Sequence, residues 1–106
     1  MAPLDQPKRF ETLIAAAPDG TPANFYRTAA GAEIDLLLTL PGGDLWAIEI
    51  KRSLAPKLER GFHHACADLA PARRILVYPG TETWPLAEDI AVMPIQAAGE
   101  ALLALA

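Results

Sequence analysis

Asp35, Glu49 and Lys51 are the residues of this 106-residue chain whose types and spacing could do chemistry. They lie on two apolar runs, AEIDLLLTL and DLWAIEIK, separated by Pro41-Gly42-Gly43. Side chains alternate faces along a strand, so Glu49 and Lys51 point the same way. A three-residue loop is a common hairpin class, and Gly43 suits its left-handed position. That loop pairs Leu40 with Asp44, makes paired residue numbers sum to 84 and sets Asp35 opposite Glu49. A two-residue loop would send Asp35 to the other face. The apolar pattern favours the first option. It groups Ile34, Leu36, Leu38 and Leu40 with Trp46, Ile48 and Ile50 as core, and Glu33, Asp35, Leu37 and Thr39 with Leu45, Ala47, Glu49 and Lys51 on the other face.

Two carboxylates at such a separation form a hard-oxygen site of the kind magnesium takes, with one or two carboxylates, retained waters and substrate phosphates. An ion held there could polarise a phosphoryl oxygen and lower the pKa of a bound water, and Lys51 could orient that water or stabilise charge developing on phosphate. The chemistry is metal-assisted phosphodiester hydrolysis, with magnesium or manganese as cofactor. A plainer reading makes the hairpin solvent-facing and Lys51 a structural salt-bridge partner. Leu37, Leu45 and Ala47 weigh against full exposure, because carboxylates on a partly covered face carry a desolvation cost unless paired or coordinating a cation.

The arrangement resembles the PD-(D/E)XK nuclease superfamily, whose signature is an acid at the end of one strand and Glu-x-Lys on the next. The flanking words Phe25-Tyr26-Arg27-Thr28, Gly31-Ala32-Glu33-Ile34-Asp35 and Ala47-Ile48-Glu49-Ile50-Lys51 bring it closer to one group. They resemble the C-terminal, restriction-endonuclease-like domain of a family of prokaryotic P-loop AAA-type ATPases, from about Phe10 to the C-terminus. The resemblance implies an α/β fold bordering on α+β: a restriction-endonuclease-like core, a central mixed sheet and flanking helices. It also implies Asp35 and Glu49 as metal ligands and Lys51 as the third catalytic residue. No Gly-x-x-x-x-Gly-Lys-Ser/Thr occurs, so the ATPase half is absent. The expectation is a free-standing remnant, a separately encoded domain or an excised piece. Family members carry an acid on an N-terminal helix, for which Glu11 is the counterpart here. The helix after Glu-x-Lys often contributes a polar residue in this superfamily, a position His63 could fill.

Other residues divide between function and structure. Glu33 shares the acid face one step further out, as a surface residue or an outer acid. Arg27 could pair with an acid, touch phosphate or form an edge-strand salt bridge. His63 and His64 point about 100° apart on a helix and lack zinc-ligand spacing. Cys66 falls on that helix's apolar stripe and belongs to the core, which leaves no Cys-His nucleophile. Trp46 should be core. Trp84 should be partly exposed and, with Tyr78, could offer a stacking or protein-contact surface.

Length bounds the chain to one domain, residues 1–106, with residues 1–8 a loose lead-in. No apolar run reaches the roughly 20 residues of a membrane span, and MAPLDQPKRF is not a signal peptide. One cysteine excludes an intrachain disulfide and fits a reducing, cytoplasmic setting. The net charge of −4 argues against a generic nucleic-acid binder. Between Lys51 and Arg74, however, six basic residues face two acids, a local +4 that leaves −8 elsewhere. Nucleic acid is therefore one expected partner. The alternative is a non-catalytic interaction domain that keeps the nuclease-like fold and contacts an ATPase or a second copy of itself through Trp84 or the Leu102-Leu103-Leu105 tail. The pattern predicts a helix over Phe10–Ala17, a strand over Asn24–Thr28, the hairpin, a helix starting near Pro56 and ended by Pro71, strands at Arg74–Tyr78, Thr83–Leu86 and Ile90–Met93, and a helix over Gln96–Leu105.

Overall fold

In the computed structural model, which describes residues 7–87 and 89–105, the alternating apolar runs build one six-stranded sheet. The chain runs α1 (Pro7–Ala16), β1 (Ala23–Arg27), β2 (Glu33–Thr39), β3 (Leu45–Ile50), α2 (Arg60–Leu69), β4 (Arg73–Tyr78), β5 (Trp84–Ala87), β6 (Ile90–Pro94) and α3 (Ile95–Leu103). Strand order is β1-β2-β3-β4-β6-β5. β1, β2 and β3 form an antiparallel meander. α2 carries the chain across to β4, which lies parallel to β3 and to β6, and β5 closes the far edge antiparallel to β6. The result is a mixed α/β fold with a central sheet and flanking helices. No helix among the described residues is long and apolar enough to cross a membrane. The first six residues of the expected lead-in lie outside those described, and α1 already begins at Pro7.

The two faces of the sheet are covered separately. Leu36, Leu38, Leu40, Trp46, Ile48, Ile75, Val77 and Met93 join Phe10 and Leu13 of α1 and Ala98 and Leu102 of α3 in the larger cluster. On the other face Ala32, Ile34, Leu37 and Ala47 meet Phe62, Ala65 and Cys66 of α2. β4 is buried on both faces, as a central parallel strand should be: Ile75 and Val77 face one way, Leu76 and Tyr78 the other. Trp46 is core, with Arg73 stacked 4.9 Å over its ring. Trp84 is half-buried and meets Tyr78 edge-on at 4.9 Å, so the edge of one ring rests on the face of the other. Of the C-terminal leucines, Leu102 is buried, while Leu103 and Leu105 are exposed.

Two further sequence expectations change. The helix after the hairpin starts at Arg60, not near Pro56. Pro56 is buried and Leu58 half-buried against the sheet, with Lys57 exposed between them. That alternation needs extended chain, and it outweighs the helical stripe until Phe62 takes over the packing. Ile34 also changes sides. β2 carries an extra residue against β1, between the pairs Asn24↔Leu37 and Tyr26↔Ile34. A bulge at Asp35-Leu36 reverses the alternation there. Ile34 therefore packs beneath α2 with Leu37 and Ala47, not with Leu36 and Leu38.

Candidate active site

The loop between β2 and β3 sets the site's register. The amide of Leu40 donates to the carbonyl of Asp44 and that of Gly43 to Leu40. Pro41 followed by Gly42 at φ 95° is the type II pattern, and Gly43 at φ 96° completes the three-residue connection. The pairs Thr39↔Leu45 to Leu36↔Ile48 follow, all on the sum of 84 expected from the sequence. The next pair would be Asp35 with Glu49, and there the side chains take over from the ladder. The Asp35 amide donates to Glu49 Oε1 at 2.8 Å, and the Ile50 amide donates to Asp35 Oδ2 at 3.1 Å. Each acid receives a backbone hydrogen bond from the opposite strand.

Burial makes these acids unusual. Glu49 is 6% exposed and is the only charged residue in the core of the described chain. Burial first, then the neighbouring Asp35 charge, push its carboxyl from 4.5 up to about 8; the Asp35 amide and Lys51 pull the other way. Asp35 is also raised, by burial, against the pull of the Ile50 amide and Lys51. Lys51 Nζ, on a side chain 24% exposed, lies 3.9 Å from Glu49 Oε2 and 3.5 Å from Glu59 Oε1.

These groups border a cavity of about 260 Å³ lined by Gly31, Glu33, Asp35, Glu49, Lys51, Glu59, Gly61 and Phe62. The start of α2 forms one wall. A Cβ on Gly61 would sit 2.5 Å from the carbonyl oxygen of Gly31, so this glycine lets the helix approach the β1–β2 turn. Glu59 takes the N-cap position, but its carboxylate makes no capping bond and turns to Lys51. Gly61→Ala should therefore destabilise the fold by about 1–3 kcal/mol, the usual cost of overpacking. Helix propensity alone would give about 1 kcal/mol of stabilisation. Urea denaturation reads the sign, and a stabilised variant would overturn the tight contact.

The structure thus brings Asp35, Glu49, Lys51 and Glu33 to one cavity, and it does not bring the other accessory residues there. Glu33 is half-exposed and pairs with Arg27 at 3.2 Å, leaving Arg27 an exposed edge-strand partner 5.6 Å from the Phe25 ring. Glu11 is exposed on α1, whose buried side packs on the opposite face of the sheet. His63 is exposed and stands edge-on to Phe62, outside the cavity lining. Cys66 is core, its thiol pushed up to about 11 mainly by burial. The basic zone divides. Arg73 and Arg74 start β4 level with Trp46 and Ala47, and Arg74 pairs with Asp89 at 2.8 Å, so neither lines the cavity. Sequence reasoning missed Glu59 and Gly61. A glycine within a helical stripe was the available signal for close approach.

Asp35 and Glu49 each spend one carboxyl oxygen on an amide and have a second, and both line the cavity. Among the described residues no group of three or more His, Cys, Asp or Glu side chains is gathered to hold a metal. Two carboxylates suit an ion that keeps most of its waters, as magnesium does, better than one needing a full protein cage. The fold and cavity define a mixed α/β domain with a buried glutamate and a partly buried aspartate paired across a hairpin. The chain belongs to the DUF4143 family, a domain of unknown function, matched over residues 10–98. It is 36% identical over 81 residues to uncharacterized proteins of Mycobacterium bovis and Mycobacterium tuberculosis, an alignment covering 76% of this chain and 18% of each relative. The chain therefore spans about a fifth of the length of these curated relatives. No solved structure matches it at a significant level.

Proposed function

We propose that this domain is a metal-dependent nuclease with a restriction-endonuclease-like core, hydrolysing nucleic-acid phosphodiester bonds. The observation that carries the reading is the convergence of Asp35, Glu49 and Lys51 on one cavity, with Glu49 buried and Asp35 partly buried beside it. The topology supports it: an antiparallel hairpin bears the acids, and a helix crosses to a parallel strand beside them. Asp35 and Glu49 supply hard oxygen donors. Magnesium or manganese bound to them would polarise the phosphoryl oxygen and lower the pKa of a bound water. Lys51 stands at the cavity wall, where its ammonium can orient water and stabilise charge developing on the scissile phosphate. Glu59 Oε1 lies 3.5 Å from that ammonium and helps to hold it. The length of the relatives supports a domain that acts as an appendage of a larger protein, and an ATPase is the partner we propose.

A second reading, a non-catalytic interaction domain, has its own observation. Both acids satisfy backbone amides where the ladder opens, a structural task that needs no ion. One experiment separates the two. Purified protein with manganese should nick plasmid or degrade single strands. Asp35→Asn keeps an oxygen for the Ile50 amide but loses the charge, and should lower cleavage at least about 100-fold. Absence of cleavage with magnesium or manganese, together with an unchanged melting temperature, would favour the interaction domain.

A further inference from the structure

We propose that residues 52–60 hold a nucleic-acid strand across the cavity mouth, with Arg52, Lys57 and Arg60 against its phosphates and Leu54 against a sugar or base. The inference rests on reading the cavity as a phosphodiesterase site. Lys51 and Gly61 bracket the segment and Glu59 lies within it, and all three line the cavity, so the segment leaves the cavity and returns to it. The segment is irregular up to Glu59, yet it is tied down. Pro56 is buried, Leu58 packs against the clusters on the α2 side, and Ser53 Oγ accepts the Ala55 amide at 3.0 Å.

What remains outward has one character. Arg52, Lys57 and Arg60 are exposed and form no ion pair among the described residues, while the one acid of the segment, Glu59, is occupied by Lys51. Leu54 is 71% exposed, the most exposed large apolar side chain described. The cavity itself cannot hold a polyanion by charge, since Glu33, Asp35, Glu49 and Glu59 face a single Lys51. Attraction has to come from the rim, where cations displace counterions from phosphates and an apolar side chain can lie against unstacked bases.

The test is fluorescence anisotropy of labelled single-stranded and duplex oligonucleotides with the intact chain, in chelator and over a salt series. Replacing Arg52, Lys57 and Arg60 together by serine should weaken binding more than about tenfold and reduce the slope of log affinity against log salt by about 2–3, at 0.7–0.9 per lost phosphate contact. Leu54→Ala should weaken binding several-fold with the slope unchanged. All four positions are exposed, so melting temperatures should hold. Wild-type affinity and slope in the triple variant would overturn the proposal, as would no salt-dependent binding by the unaltered chain. Binding of polyglutamate as tight as that of the oligonucleotide would overturn the assignment to nucleic acid in favour of an acidic protein partner. Cleavage is read separately. A chain that binds through this rim and never cuts retires the reaction alone, and one that cuts equally well without the rim cations retires the rim alone.

Discussion

Lys51→Ala should lower manganese-dependent cleavage by at least about 100-fold, the usual effect of removing one preorganised charge from a developing oxyanion. The fold should tolerate the change. Lys51 lies beyond the last residue of β3, and its two ion pairs, at 3.9 and 3.5 Å, involve a partly exposed ammonium and, in Glu59, an exposed acid. The pair with the exposed Glu59 contributes at most about 1 kcal/mol. Its backbone amide, which donates to the carbonyl of Val77 at 2.8 Å, survives the substitution. Lys51→Arg keeps charge but replaces a compact point charge with a planar fork, so it should recover only part of the activity. Undiminished cleavage by Lys51→Ala would remove the proposed mechanism while leaving the fold untouched.

Without divalent cation, stability should fall as pH rises from about 4.5 to about 8. In the folded chain Glu49 retains its proton up to about 8, whereas unfolding returns it to its ordinary value of 4.5. Between those values the folded state holds a proton that the unfolded state releases, so raising pH favours unfolding. The loss is steepest within that window, where folded and unfolded states differ in the Glu49 proton. Asp35 is shifted in the same direction, by burial. Below 4.5 both states hold the Glu49 proton and its contribution is constant. Manganese or magnesium should reverse the trend, since the ion needs the ionised pair and stabilises by mass action. Thermal melts across this pH range, with chelator and with metal, make the comparison. Glu49→Gln, which keeps an oxygen for the Asp35 amide, should flatten the chelator curve. A chelator curve that rises with pH would count against a buried, mutually repelling pair.

The hairpin was legible because it is governed by local chemistry. Pro41-Gly42-Gly43 fixes the loop, the loop fixes parity, and parity sets Asp35 across from Glu49. The central strands were legible from their apolar runs for the same reason, and the structure moves the start of β4 by one residue, to Arg73. What escaped depends on contacts distant in sequence. The bulge that turns Ile34 beneath α2 is fixed by pairing with β1. The late start of α2 follows from the burial of Pro56 and from Leu58 packing on strands that it does not itself reveal. Glu11 was placed by analogy with a helix, but the side of the sheet on which α1 packs is decided by Phe10 and Leu13 meeting α3's neighbours in the larger cluster. Glu59 escaped because its partner Lys51 is fixed by the close approach of α2 at Gly61, which the local sequence does not reveal.

The crossed hydrogen bonds at the open end of the β2–β3 ladder equip the site with its own spectroscopic reporters. The amide of Asp35 donates to Glu49 and the amide of Ile50 donates to Asp35, so the resonance of each amide follows the ionisation of the acid on the opposite strand. Coupled acids ordinarily titrate in steps that belong to the pair and resist assignment to either member. Here two backbone signals, one on each strand, separate the microscopic steps, and the same two peaks would register an arriving cation without any turnover.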